Sequence, residues 1–195
     1  WLGARVRVDG DRLRLAAVEP DSPAATAGLT TGDTVLEVNG KAVAGFVNWA
    51  KAITAGDAGG KVKARIRIFR GGRAHTVSVT MQPEEKVFNG RLIEQRLGLT
   101  VRPLTRTVAE QSGLSFFGGY LITAVEADGP GAIAKLETGG VIREVNGLTP
   151  PNVVAFARMI RGLERGEAVQ LGVTWEVRRG AFLQRRSGVA TLKAR

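Results

Sequence analysis

Side chains able to attack, protonate or ligate are few and scattered in this 195-residue chain, with His75 the only histidine and no cysteine at all. A hydrolytic triad needs a serine beside a histidine that a carboxylate orients. Neither Gly-x-Ser-x-Gly nor Gly-Asn-Ser-Gly-Gly surrounds Ser22, Ser78, Ser112, Ser115 or Ser187. His75 lies in Arg73-Ala74-His75-Thr76-Val77, an alternating stretch that reads as a half-exposed strand. No catalytic residue is assigned, and peptide hydrolysis by this chain is not expected. The lack of cysteine removes disulfides and thiolate metal sites, and no ligand cluster has the spacing of a zinc or calcium site. Neither a metal nor a cofactor is expected. The pairs Gly59-Gly60, Gly71-Gly72, Gly118-Gly119 and Gly139-Gly140 lack the strand-to-helix setting of a phosphate loop and read as turns. What remains is the chemistry of recognition.

The residues encode a duplicated scaffold for it. Gly32-Asp33-Thr34-Val35-Leu36-Glu37-Val38-Asn39-Gly40 returns as Gly139-Gly140-Val141-Ile142-Arg143-Glu144-Val145-Asn146-Gly147, at an offset of 107 residues. The same register sets Val18-Glu19 on Val125-Glu126, Pro23 on Pro130, Leu29 on Leu136, Ala50 on Ala157 and Ile53 on Ile160. A solenoid unit is about 20 to 50 residues long, so copies of this length are domains with their own cores. A chain that is 44% hydrophobic and 24% charged fits two soluble domains of about 100 residues each. No apolar run reaches the roughly 18 to 20 residues that span a bilayer. The chain opens Trp1-Leu2-Gly3 without a signal peptide and is expected to be an excised piece of something longer.

Lys and Arg number 28 against 18 Asp and Glu, a net charge of +10 that attracts anionic partners at long range. Arg5, Arg7, Arg12, Arg14, Arg65 and Arg67 alternate along the chain, and Arg178, Arg179, Arg185 and Arg186 form a denser group. Alternation places such residues on the solvated face of half-buried strands. With 6% aromatics and no contiguous basic stripe, nucleic acid is not the expected partner.

The pattern predicts mainly β structure with short helices. Ala4 to Val8 and Leu13 to Val18 form a hairpin about Asp9-Gly10-Asp11. Ser22 caps a short helix that starts at Pro23. Thr34 to Asn39 is a strand, Phe46 to Thr54 a helix, and Val62 to Phe69 with Ala74 to Thr80 a second hairpin. The second copy repeats this with a helix near Pro130, a strand at Val141, a helix at Asn152 to Gly162 and strands at Val169 to Val177 and Phe182 to Leu192. It adds a helical turn between Thr105 and Gly113. The domains are expected at 1–82 and 96–195, joined by a linker at 83–95.

This order, with Gly-Asp-x-[Val/Ile]-Leu-x-Val-Asn-Gly at its centre and Ser22-Pro23-Ala24-Ala25-Thr26-Ala27-Gly28-Leu29 before it, resembles a PDZ domain of the bacterial form. Leu97-Gly98-Leu99-Thr100-Val101-Arg102-Pro103-Leu104-Thr105, followed by Ala109-Glu110-Gln111-Ser112-Gly113-Leu114, resembles the start of the second PDZ domain of HtrA/Deg serine proteases. That resemblance implies two α+β domains, each a small partly open β-barrel or sandwich flanked by two helices. It further implies peptides or unfolded segments as partners, a parent trypsin-like protease domain, envelope protein quality control, and a periplasmic or envelope location.

The family's carboxylate-binding loop falls on Trp1-Leu2-Gly3-Ala4 and on Arg96-Leu97-Gly98-Leu99. A glycine there lets successive amide N–H groups converge on one anion, and the strand that follows can pair with an extended peptide. Val6 and Val101 continue those strands. Helical spacing then selects Phe46, Ala50 and Ile53 as one groove wall and Val153, Ala157 and Ile160 as the other, an apolar lining for an apolar last residue. Trp49 and Phe156 sit just off these stripes and are expected in the cores. Ala4 stands where a larger aliphatic is usual, which enlarges its pocket. Arg96 replaces an aromatic, either adding charge for a carboxylate or simply facing solvent. Two alternatives stay open: a scaffold in another envelope protein, such as a site-2 protease or secretion component, and an assembly element of a homo-oligomer.

Overall fold

The computed structural model describes residues 1–55, 62–179 and 182–195, so the Gly59-Gly60 turn and the side chains of Arg178 and Arg179 lie outside the described residues. The chain divides into two compact units, Trp1–Val87 and Phe88–Arg195. Both are mainly β with short helices, and neither sheet closes into a barrel.

In the first unit, β1 (Ala4–Asp9) and β2 (Arg12–Val18) form the expected hairpin. Helix α1 (Pro23–Thr26) starts where Ser22 Oγ accepts the Ala25 N–H at 3.1 Å. Strands β3 (Thr34–Val38) and β4 (Lys41–Ala42) lead to α2 (Phe46–Thr54), and β5 (Lys63–Arg70) and β6 (Arg73–Thr80) close the unit. The sheet order is β1-β2-β3-β5-β6 with β4 beside β3, which leaves β1 at an edge. Alternation buries Leu13, Leu15, Ile66 and Ile68 on one face of this sheet, each contributing about 1.5 to 3 kcal/mol. Trp49 joins that core from α2.

Two helices, α3 (Glu84–Val87) and α4 (Gly90–Leu97), occupy most of the stretch expected as a linker. The second unit continues with β7 (Leu99–Pro103), α5 (Arg106–Gln111), β8 (Tyr120–Val125), α6 (Pro130–Ile133), β9 (Val141–Val145), α7 (Val153–Arg161), β10 (Ala168–Arg179) and β11 (Phe182–Lys193). Its sheet runs β11-β10-β9-β8-β7, again leaving the strand after the glycine loop at an edge. Gly3 and Gly98 are 95 residues apart, against 107 for the later motifs, and the 12 extra residues fall between β7 and β8. They carry α5, whose N-cap Thr105 accepts the Val108 N–H at 3.2 Å and whose run ends before Gly113.

The shared Val-Asn-Gly motif has a mechanical role in positioning the longer helix. Asn39 adopts φ 51°, accepts the Arg65 N–H at 2.8 Å and donates to the Ala52 carbonyl at 3.3 Å, tying α2 to β5. Asn146 repeats the strand half of this device, accepting the Gln170 N–H at 2.8 Å. The Asp33 to Gly140 difference also has a structural reason. Asp33 is buried and takes two 2.6 Å bonds from Arg70, whereas a Cβ on Gly140 would meet the Trp175 indole nitrogen at 2.9 Å.

Candidate functional site

At the head of β1, Gly3 has φ 75°, and a Cβ there would sit 2.1 Å from Ser22 Cβ, so only glycine fits. The Ala24 N–H donates to the Leu2 carbonyl at 3.0 Å and the Glu19 N–H to the Gly3 carbonyl at 2.8 Å. The Gln82 N–H holds the Trp1 carbonyl at 3.0 Å. With the carbonyls held this way, the Leu2 and Gly3 amides donate to no acceptor among the described residues. Two adjacent unpaired N–H groups make a concavity for an anion.

The strand after this loop is equally uncovered. Ala4 and Val6 are half-buried against the core while Arg5 and Arg7 are exposed. Helix α2 packs beside β1. Its first turn exposes Phe46 by 62% and Val47 by 61%, Ala50 is half-buried, and Ile53 and Leu2 lie deeper. Unpaired amides, an open edge strand and an uncovered apolar helix face therefore adjoin one another. Trp49 is turned into the core, as its size suggested.

The second unit has the same parts in a different state. Gly98 keeps the left-handed geometry, φ 66°, and its carbonyl accepts the Glu126 N–H at 2.9 Å, as Gly3 does from Glu19. Its amide, however, donates to the Glu94 carbonyl at 2.8 Å, because Gly98 is the C-cap of α4. Leu97 is the last residue of that helix. Helix α4 packs against both β7 and α7, with Gly90 close to the Val101 carbonyl and Ile93 and Leu97 fully buried. Phe88, just before it, lies under the Arg158 guanidinium of α7 at 5.2 Å. Under this cover Leu99, Val101, Ala157 and Ile160 are buried, Val153 is half-buried, and Phe156 is in the core.

Arg96 fits neither of its two expectations, since its guanidinium donates to the Leu163 carbonyl just beyond α7 and pins the helix there. Glu126 lies beside the loop, its carboxylate 3.2 Å from where a Cβ on Gly98 would stand. Hydrogen bonds from Arg195 hold the Glu126 carboxyl below its usual range, so an ion pair already adjoins Gly98. Sequence reasoning missed α4 because Asn89-Gly90 reads as a turn and Gly98 as a loop residue. The available signals were the Asn89 cap, which accepts the Arg91 N–H at 3.1 Å, and the i, i+4 pair Ile93 and Leu97. His75 stands exposed on β6, paired across the ladder with Ile68.

Residues 1–81 match the PDZ domain family. A probable periplasmic serine endoprotease, DegP-like, from Marinomonas sp. (strain MWYL1) is 30% identical over 163 residues, covering 82% of this chain and 34% of the relative. Its counterpart from Pseudomonas putida (strain W619) is 28% identical over 170 residues with the same coverage. The chain thus spans about a third of the length of these relatives. Among solved structures, an HtrA-type protease AlgW with decapeptide aligns over 94% of this chain and 55% of that one, with TM-score 0.44 and 18% identity. The first unit thus matches a PDZ domain, and most of both units is similar to part of DegP-like serine endoproteases.

Proposed function

We propose that the first unit binds the C-terminal end of extended apolar polypeptides, and that it does so for an HtrA-type serine endopeptidase in periplasmic protein quality control. In this reading the 1–82 domain recruits or reports substrate, while hydrolysis belongs to a trypsin-like domain of a longer protein. The observation that carries the proposal is the pair of unpaired Leu2 and Gly3 amides at the head of an uncovered edge strand. A terminal carboxylate there receives two charge-assisted hydrogen bonds, about 1.5 to 3 kcal/mol each. The peptide backbone adds to β1 as a further strand, and its last side chain enters the apolar space between Leu2, Ala4, Ala50 and Ile53. The small Ala4 leaves room there for a branched or aromatic residue.

The 96–195 domain is assigned a different state. Its nest amide is engaged by Glu94 and its groove is filled by α4. Peptide capture falls to the first domain alone while α4 stays in place.

The test is a fluorescence titration of the whole chain with a peptide ending in valine, as free acid and as amide. The free acid binds in the micromolar range, and amidation weakens it at least about 100-fold. Equal affinity for both forms overturns the proposal. Gly3→Asp abolishes binding as well, with the circular dichroism spectrum checked because its Cβ crowds Ser22.

A further inference from the structure

Arg5 and Arg7 lie on the exposed face of the edge strand, and neither makes an ion pair or hydrogen bond among the described residues. The one acid next along that face, Asp9, is engaged by Arg14 at 3.2 Å. Two uncompensated guanidiniums thus stand beside the line on which an added strand would run. We infer that Arg5 and Arg7 select peptides with acidic residues at the penultimate position and at the third residue before the last. The inference rests on the groove reading above and deepens it by naming a substrate class: C-terminal segments with an apolar last residue and carboxylates at alternate positions before it.

The register follows from geometry. A carboxylate on the Leu2 and Gly3 amides fixes the peptide's last residue at the start of β1, so a peptide running beside β1 must point the opposite way. The added pair is antiparallel. Residues directly opposite in such a pair share a face of the sheet. The last residue then faces Ala4, the penultimate Arg5, the next Val6 and the one before it Arg7. Ala4 and Val6 point toward the core and Arg5 and Arg7 away from it, as their burial shows. The apolar and charged subsites therefore alternate along the ligand. Opposite charges facing each other across a strand pair strengthen binding about two- to fivefold each at an exposed site. Salt weakens them.

The experiment compares three free-acid peptides ending in valine on the whole chain, carrying Asp, Ala or Lys at both positions. The Asp peptide binds about tenfold more tightly than the Lys peptide at low salt, and the gap narrows at 0.5 M NaCl. In the double variant Arg5→Glu, Arg7→Glu the order reverses, with the Lys peptide binding more tightly than the Asp peptide. If all three peptides bind the natural chain equally, the charge selection is wrong and the groove reading stands. If no free-acid peptide binds, the groove reading fails and the selection with it.

Discussion

The two units carry the same glycine loop on the same edge strand, yet in one the amides are unpaired and in the other they cap a helix. Gly3 and Gly98 share left-handed backbone and the same carbonyl bond to a following glutamate. The difference is what precedes them. Helix α4 runs into Gly98, whose N–H donates to the Glu94 carbonyl as its cap, and packs against β7 and α7, whereas the first unit leaves Phe46 and Val47 of α2 in solvent. A loop motif thus defines a backbone shape, and the residues around it decide whether that shape receives a ligand or ends a helix.

The largest way to break this comparison is to remove the cover. Ile93→Ala should cost the second unit about 2 to 5 kcal/mol, because Ile93 is fully buried. Thermal unfolding should then show an early transition for that unit, while first-unit peptide affinity is unchanged. A single unshifted transition would mean that α4 is not an integral part of the second unit.

A medium effect is the acid dependence that Asp33 gives the first unit. Burial works to raise the Asp33 carboxyl, and bonds from Arg70 and Thr30 more than offset it, holding it below its usual value. The unfolded chain therefore takes up this proton first as pH falls. The stability Asp33 gives is full above about pH 4 and drains as pH drops through the folded value. Asp33→Asn should cost the first unit about 2 kcal/mol at pH 7 and flatten this acid dependence. Gly140, at the equivalent place, has no such group. Equal acid sensitivity in natural and variant chains would refute the assignment.

The smallest effect concerns the groove helices themselves. Asn152 caps α7 by accepting the Ala155 N–H at 2.9 Å, whereas Gly45 at the start of α2 makes no side-chain cap. Asn152→Ala should lose about 1 kcal/mol and Gly45→Asn should gain a few tenths, both read from denaturant midpoints.

Much of this was legible in the residues. Alternation and turn pairs located β1, β2, β3, β5, β6, β10 and β11 to within about two residues, and Ser22 announced its helix. Gly3 and Gly98 each stand just ahead of an edge strand. The state of the second groove was not legible, for a physical reason. A left-handed glycine serves equally as a nest and as a helix C-cap, and which role it plays depends on tertiary packing of Ile93 and Leu97 rather than on the loop's own sequence. The unpaired condition of Arg5 and Arg7 was hidden likewise, since alternation gives their face but not their neighbours.

The most direct measurement is a two-dimensional amide NMR titration of the whole chain with a free-acid valine-ended peptide. The account predicts that the Leu2 and Gly3 amide resonances move with saturable shifts while Gly98 stays still. Movement of Gly98 with Leu2 and Gly3 unmoved would contradict it.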